Sequence, residues 1–222
     1  MKDKESFREL ELKAQVAPSQ STWPTDYLHW QLLSRAADET RSCLGEFYEH
    51  IEEIDTDPRL TPQGKAQERR KAAERALQAL DEPKTLNRAQ EAVAAVEAKW
   101  EAMIAKAIEK PTEPANVAVA TQIRDRVANM KEGRMSWLER HAGDLVIASA
   151  ILTAPQALSG LSDAEWRLVR LKVEGQVLSP EVREAKAAIT KAKSELERGW
   201  RNARAKISAR GGFDAAWPQD AA

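Results

Sequence analysis

Eight positions between Trp30 and Ile54 step along the chain by threes and fours without a break: Trp30, Leu33, Ala37, Thr40, Leu44, Phe47, Ile51 and Ile54. On an α-helix that rhythm returns every side chain to one face, and it is the seam of a heptad repeat. A long helix keeps its shape in water by burying such a seam on another helix. The chain is therefore committed to helix-on-helix packing. Two further seams repeat the pattern: Leu86, Ala89, Val93, Val96, Trp100, Met103 and Ala107 after Pro83, and Val182, Ala185, Ile189, Ala192, Leu196, Ala203 and Ile207 in the last helix. Trp200 lies beside the last seam, and Gly199 leaves room there for a close neighbour. With 31% charged and 5% aromatic residues, only nine glycines, and no stretch alternating with period two, no strand is expected. The expected fold is all-α, an elongated bundle of about six helices with long coiled-coil-like members.

Turn chemistry sets the expected boundaries. Met1 to Ala14, with Phe7 and Leu10 at helical spacing, reads as an arm that orders on a partner, and Gln15 to Pro24 as a linker, so that residues 1–24 precede the folded body. Residues 25–110 are expected to form a helical hairpin or bundle: the first helix ends at Asp57-Pro58, and Thr61-Pro62 opens the next by cap and first-turn proline. That helix carries Ala66, Ala73, Leu77 and Leu80, and Thr85 is expected to cap the one after it. Lys110-Pro111-Thr112-Glu113-Pro114 is the expected division. Residues 115–210 then make a second helical half, opening with Val119, Ile123, Val127 and Met130, and residues 211–222 a tail in which Phe213 and Trp217 form a docking peptide.

The densest apolar text runs from His141 to Pro180, and the long helices are expected to pack onto it. Leu145 to Leu152 has almost no polar face, as in a helix surrounded by others. Pro155 should end it, with no more than a turn from Gln156 to Ser159. Ser162-Asp163-Ala164-Glu165 is a capping-box sequence, so a helix starts at Ser162 and returns Trp166, Val169, Leu171, Val173 and Val177 to the core. Ser179-Pro180 opens the last helix, about 45 Å long at 1.5 Å per residue if it runs to Arg210.

Charge is distributed unevenly although the formal net charge is only -1. The first long helix exposes Asp38, Glu39, Glu46, Glu49, Glu52, Glu53, Asp55 and Asp57, set against Arg41. From Arg183 to Arg210 nine basic residues face three acidic ones, and Arg198, Arg201, Arg204, Lys206 and Arg210 are candidates for contact with phosphates or an acidic partner. Basic residues mixed with alanine do not form a sequence-specific reader, so nucleic-acid contact would be weak and salt-dependent. The acidic and basic helices are also fit to pair with each other, within a chain or between copies. The longest apolar run, Leu145 to Leu152, is far too short to span a membrane, and the acid-containing start MKDKESFRELELK is not a signal peptide. One cysteine, Cys43, permits no internal disulfide, which fits a reducing compartment.

No constellation carries a reaction. His29, His50 and His141 share no metal-ligand spacing with each other or with Cys43. Asp55-Thr56-Asp57 starts like a calcium loop, but Leu60 stands where glycine is required and Ala66 where the bidentate glutamate belongs. Gly64-Lys65 lacks the upstream glycine of a phosphate loop. Neither cofactor nor metal is expected, and the carboxylates read as solvated faces. The expected work is contact. Its candidate surface for self-association is the seam side chains Trp30, Leu33, Leu44, Phe47, Ile51, Val93, Val96, Trp100, Ile189, Leu196 and Trp200.

Two stretches carry a resemblance. One runs from Tyr48 through Ile51 to Asp57-Pro58-Arg59-Leu60-Thr61-Pro62-Gln63-Gly64-Lys65, with Arg69 following. The other is Ala150-Ile151-Leu152-Thr153-Ala154-Pro155, then Leu158-Ser159-Gly160-Leu161-Ser162, with Pro180-Glu181-Val182 beyond. Both resemble small helical proteins encoded among the head and tail morphogenesis genes of tailed bacteriophages and prophages. The resemblance implies a non-enzymatic role in capsid assembly or as a minor virion component, with capsid or other virion proteins as partners, in the cytoplasm of a bacterial host and in the virion. It carries over no catalytic residue. The alternative expectation is a helical nucleic-acid-associated or regulatory protein using the basic helix 183–210.

Overall fold

The computed structural model describes residues 11–81 and 84–213. The fold is all-α, 81% helical, with no strand among the described residues. After helical residues 11–15 and a single 3-10 turn, Gln20–Thr22, the described residues form nine α-helices rather than about six. They are α1 (Leu28–Thr56), α2 (Pro62–Asp81), α3 (Lys84–Ala107), α4 (Pro114–Asn129), α5 (Arg134–His141), α6 (Leu145–Leu152), α7 (Gln156–Ser159), α8 (Asp163–Val177) and α9 (Pro180–Arg210). The additional elements are short helices around Gly133 and Pro155, where Gly133 at φ 68° and Gly160 at φ 62° take the left-handed conformation that glycine adopts most easily. Thr85, expected as a cap, lies inside α3.

The caps form as their chemistry dictates. Ser162 accepts from the Glu165 amide while Glu165 reaches back to the Ser162 amide at 2.8 Å. Thr61 Oγ1 accepts from the Gly64 amide at 3.1 Å, and Ser179 Oγ from the Val182 amide at 3.4 Å.

The chain folds into two compact units, Met1–Ala94 with Ala188–Ala222, and Ala95–Ala187. The expected division at Lys110 to Pro114 is thus corrected: the unit boundaries fall inside α3 and α9. A seam can continue unbroken while its helix changes neighbours, so composition marks no boundary there.

In the first unit α1 and α2 form an antiparallel hairpin, with Cys43 against Ala76 and Asp55 paired to Arg69 at 2.6 Å. Leu44, Phe47, Ile51 and Ile54 interlock with Ala73, Leu77 and Leu80, and α9 adds Ala203 and Ile207. Trp200 donates its indole N–H to the Leu80 carbonyl at 3.2 Å, and Arg204 pairs with Asp81. The turn between α1 and α2 is held by Arg59 on Asp57 at 2.8 Å and by Lys65 Nζ on the Asp55 carbonyl at 2.6 Å. The stretch from Asp55 to Arg69 therefore closes a hairpin.

The linker expected over Gln15 to Pro24 is instead an ordered strap. Val16, Ala17 and Trp23 are buried. A Cβ built on Gly199 would lie 2.8 Å from Val16 Cα, so Val16 is the close neighbour for which that glycine leaves room. Glu195 accepts from the Ser19 amide at 3.0 Å and from its hydroxyl at 2.7 Å, and Trp23 Nε1 donates to Ser19 Oγ at 2.9 Å. The prolines and serines of QVAPSQSTWP have the composition of a linker, but the apolar Val16, Ala17 and Trp23 between them hold the segment down. Phe7, Leu10, Pro83 and Trp217 lie outside the described residues.

The second unit has its own core, in which α3 supplies Ile104, α4 Val127, α5 Leu138, α6 Ala148 and Ile151, and α8 Val169 and Val173. The His141 to Pro180 stretch is therefore central to this unit, whereas the α1–α2 hairpin is built on a different core. Three expectations fail in detail. Ile104, not Met103, is buried in α3, because a straight helix at 3.6 residues per turn drifts off a 3.5-residue seam. Leu171 is exposed, two residues out of phase with the buried Val169 and Val173. The α6 run is not surrounded, since Leu145 and Val146 face solvent.

Candidate functional site

The residues expected to bind a second copy are largely consumed by the chain itself. Trp30, Leu33, Leu44, Phe47, Ile51, Val93, Trp100, Ile189 and Leu196 are buried, while Val96 and Trp200 are half-buried. Self-association through these seams is corrected accordingly, because a side chain already out of water has little more to gain from a partner.

The basic candidates scatter in the same way. Arg204 is held by Asp81, Arg210 lies over the Tyr48 ring at 4.9 Å, and Lys206 is half-buried. Arg198 and Arg201 are exposed. The acidic helix is not uniform either, because Arg35 sits on it, paired with Glu39 at 3.1 Å. The acidic and basic helices meet in the first unit through their apolar seams and through Arg210, which shares a pocket with Glu52 and Asp55.

Two carboxylates depart from the expectation of solvated acids. Glu195 is buried, and in the sequence only its place beside Leu196 and Gly199 on the inner side of α9 signals this. Glu165 takes both Arg134 Nε at 2.7 Å and Nη2 at 3.0 Å. The Arg134 hydrogen bonds, followed by those from Ser162, hold its carboxyl below the usual range against the opposing effect of burial. Burial, then the Glu46 charge, raises the Cys43 thiol to about 11, which leaves it protonated and unreactive at neutral pH. Burial lowers His29. No cluster of three or more metal-ligating side chains occurs among the described residues, and none of their helices is long and apolar enough to cross a membrane.

What the second unit leaves open is an apolar groove between the end of α3, the start of α4 and the start of α6. Asp144 caps α6 by accepting from the Val146 amide at 2.8 Å, fixing how the helix begins. Ala148 and Ile151 then point into the core, and Leu145 and Val146 turn outward, 38% and 64% exposed. Ser149, between the two faces, donates to the Glu109 carbonyl at 2.7 Å and so ties the segment after α3 to α6. Arg124 donates to the Ala150 carbonyl at 2.9 Å and locks α4 to the same helix. The resulting groove has a volume of about 340 Å³, with Pro111, Val119, Leu145 and Val146 as its apolar walls and Lys106 and Asn116 as polar edges. Its chemistry is that of a surface that receives an apolar side chain: a few aliphatic groups on a fixed frame, with hydrogen-bonding partners at the border.

No known protein family matches the chain, and neither curated proteins nor solved structures give a significant match.

Proposed function

We propose that this chain is a non-enzymatic assembly protein of a tailed phage or prophage, acting in capsid assembly or as a minor virion component, and that it associates through the α3–α4–α6 groove rather than through its heptad seams. The observation that carries the reading is the outward face of α6. Val119, Leu145 and Val146, 45%, 38% and 64% exposed, hold roughly one and a half aliphatic side chains in water, about 2–4 kcal/mol at 1.5–3 kcal/mol per side chain. Three hydrogen-bonded tethers keep that apolar face in place, which suits a surface presented to a partner. The phage setting rests on the resemblance of the two quoted stretches, and makes capsid or other virion proteins the partners of the associated form inside the host cell.

Light scattering over a wide concentration range tests the reading. The wild-type chain is expected to rise above 24.7 kDa with concentration, and Val146→Asp, a change at an exposed position, to hold at 24.7 kDa with its helicity unchanged. A wild-type chain that remains a strict monomer overturns it. The alternative, a nucleic-acid-associated protein using helix 183–210, has less support, because Arg204 and Arg210 are engaged within the chain and only Arg198 and Arg201 of the five basic candidates stand exposed without such a contact.

A further inference from the structure

We infer that two copies of this chain close into a symmetric pair at the groove of the second unit, the starts of α4 and α6 in each copy covering the groove of the other. The inference rests on the associating role proposed above and names the occupant, the same face of a second copy.

The start of α4 carries the argument. Thr112 to Val119 are exposed without a break, and from Pro114 onward Asn116 is the one polar side chain among Pro114, Ala115, Val117, Ala118 and Val119. At 3.6 residues per turn these six side chains point in all directions, so the end of the helix is apolar around nearly its whole circumference. A helix of that kind belongs among other helices. Val119 lines the groove and Val117 projects from another side of the helix, 45% and 43% exposed. As a wall of its own groove, α4 cannot also fill it. Val146, 64% exposed on the α6 wall, stands as a knob beside the hollow. A knob and a hollow on one face fit a second copy turned through half a turn, each knob entering the other's hollow.

Charge at the border selects the occupant. Lys106, Glu109, Lys110 and Glu113 are exposed along the segment that joins α3 to α4, two of each sign in alternation. Lys106 and Glu109 line the groove itself, and Glu113 accepts from Asn116 at 3.5 Å. A uniformly acidic or uniformly basic partner would set like charges against one half of this border. A second copy brings two of each sign, and in a symmetric contact every lysine that meets a glutamate is matched by the reverse pairing across the axis. The formal net charge of -1 adds little repulsion between copies. Because the same patch is used on both copies, the assembly stops at two.

The test uses two full-length charge variants, one carrying Lys106→Glu with Lys110→Glu and the other Glu109→Lys with Glu113→Lys, all at exposed positions, with helicity checked by circular dichroism. The wild type is expected to reach twice 24.7 kDa and to grow no further. Each variant alone is expected to stay at 24.7 kDa at concentrations where the wild type associates, because its border then carries one sign only. Mixed one to one, the two are expected to restore a dimer, since an acidic border meets a basic one. If the wild type grows past a dimer, or if the variants associate as it does while Val146→Asp does not, the groove has another occupant, and the inference falls while the proposed function stands. If both variants are monomeric and their mixture is too, the borders do not face each other and the symmetric pair is overturned. A strictly monomeric wild type overturns both.

Discussion

Gly199→Ala tests the packing of the strap on α9, because two effects of opposite sign meet at that residue. Inside a helix, replacing glycine with alanine stabilises by about 0.5–1 kcal/mol. At Gly199 the new methyl would sit 2.8 Å from Val16 Cα, 3.0 Å from Val16 Cγ1 and 3.2 Å from the Gln15 carbonyl oxygen. Favourable carbon contacts lie at about 3.5–4.0 Å, so the strap must move outward by roughly an ångström. The atom in the way belongs to the backbone, which cannot swing aside as a side-chain tip does. Overpacking of this kind costs about 1–3 kcal/mol, and the shift also strains the Ser19 to Glu195 hydrogen bonds. The clash wins, and the net expectation is a loss of about 1–2 kcal/mol. Gly45→Ala in α1 is the control from the same unit, since its Cβ would meet Leu12 Cδ1 at 3.4 Å, an ordinary contact. Urea unfolding followed by tryptophan fluorescence should move the midpoint down for Gly199→Ala and slightly up for Gly45→Ala at unchanged slope. If both variants gain equally, the strap does not lie on α9 and the reasoning is wrong.

Arg134→Ala should destabilise the second unit by about 2–3 kcal/mol, below the roughly 3–5 kcal/mol of a fully buried pair, because Arg134 keeps 24% of its side-chain exposure while Glu165 keeps only 9%. Glu165 is harder to protonate when folded, so the pair contributes in full above the ordinary glutamate value of 4.5 and loses its contribution as pH falls through the lower folded value. The gap between wild type and Arg134→Ala should therefore close as a urea series is taken down from about pH 5, and a gap that widens contradicts the assignment. With its thiol raised to about 11, Cys43 should react with a disulfide reagent at pH 8 roughly a hundredfold more slowly than after denaturation; equal rates would show that the thiol is not sheltered. Val146→Asp should leave thermal stability within about 0.5 kcal/mol of the wild type, as for other changes at exposed positions, and a larger loss would place Val146 in the core.

What the amino-acid order decided alone was local. The step of threes and fours dictates helices, because side chains at that spacing share a face whatever surrounds them. Ser162, Thr61 and Ser179 started helices where a hydroxyl precedes free amides, since a cap needs nothing beyond the next turn. Even the clearance at Gly199 was legible, because an absent Cβ in a helix admits a neighbour without naming it. Folding supplied the name, Val16, from a stretch whose prolines and serines had marked it as a linker. Tertiary structure alone decided which faces are spent and which remain. Hydrophobicity by itself treats Ile51 and Val146 alike, yet Ile51 is sealed between α1 and α2 while Val146 stands in water. Periodicity says which side chains point the same way; only the arrangement of the other helices says whether anything lies in that direction.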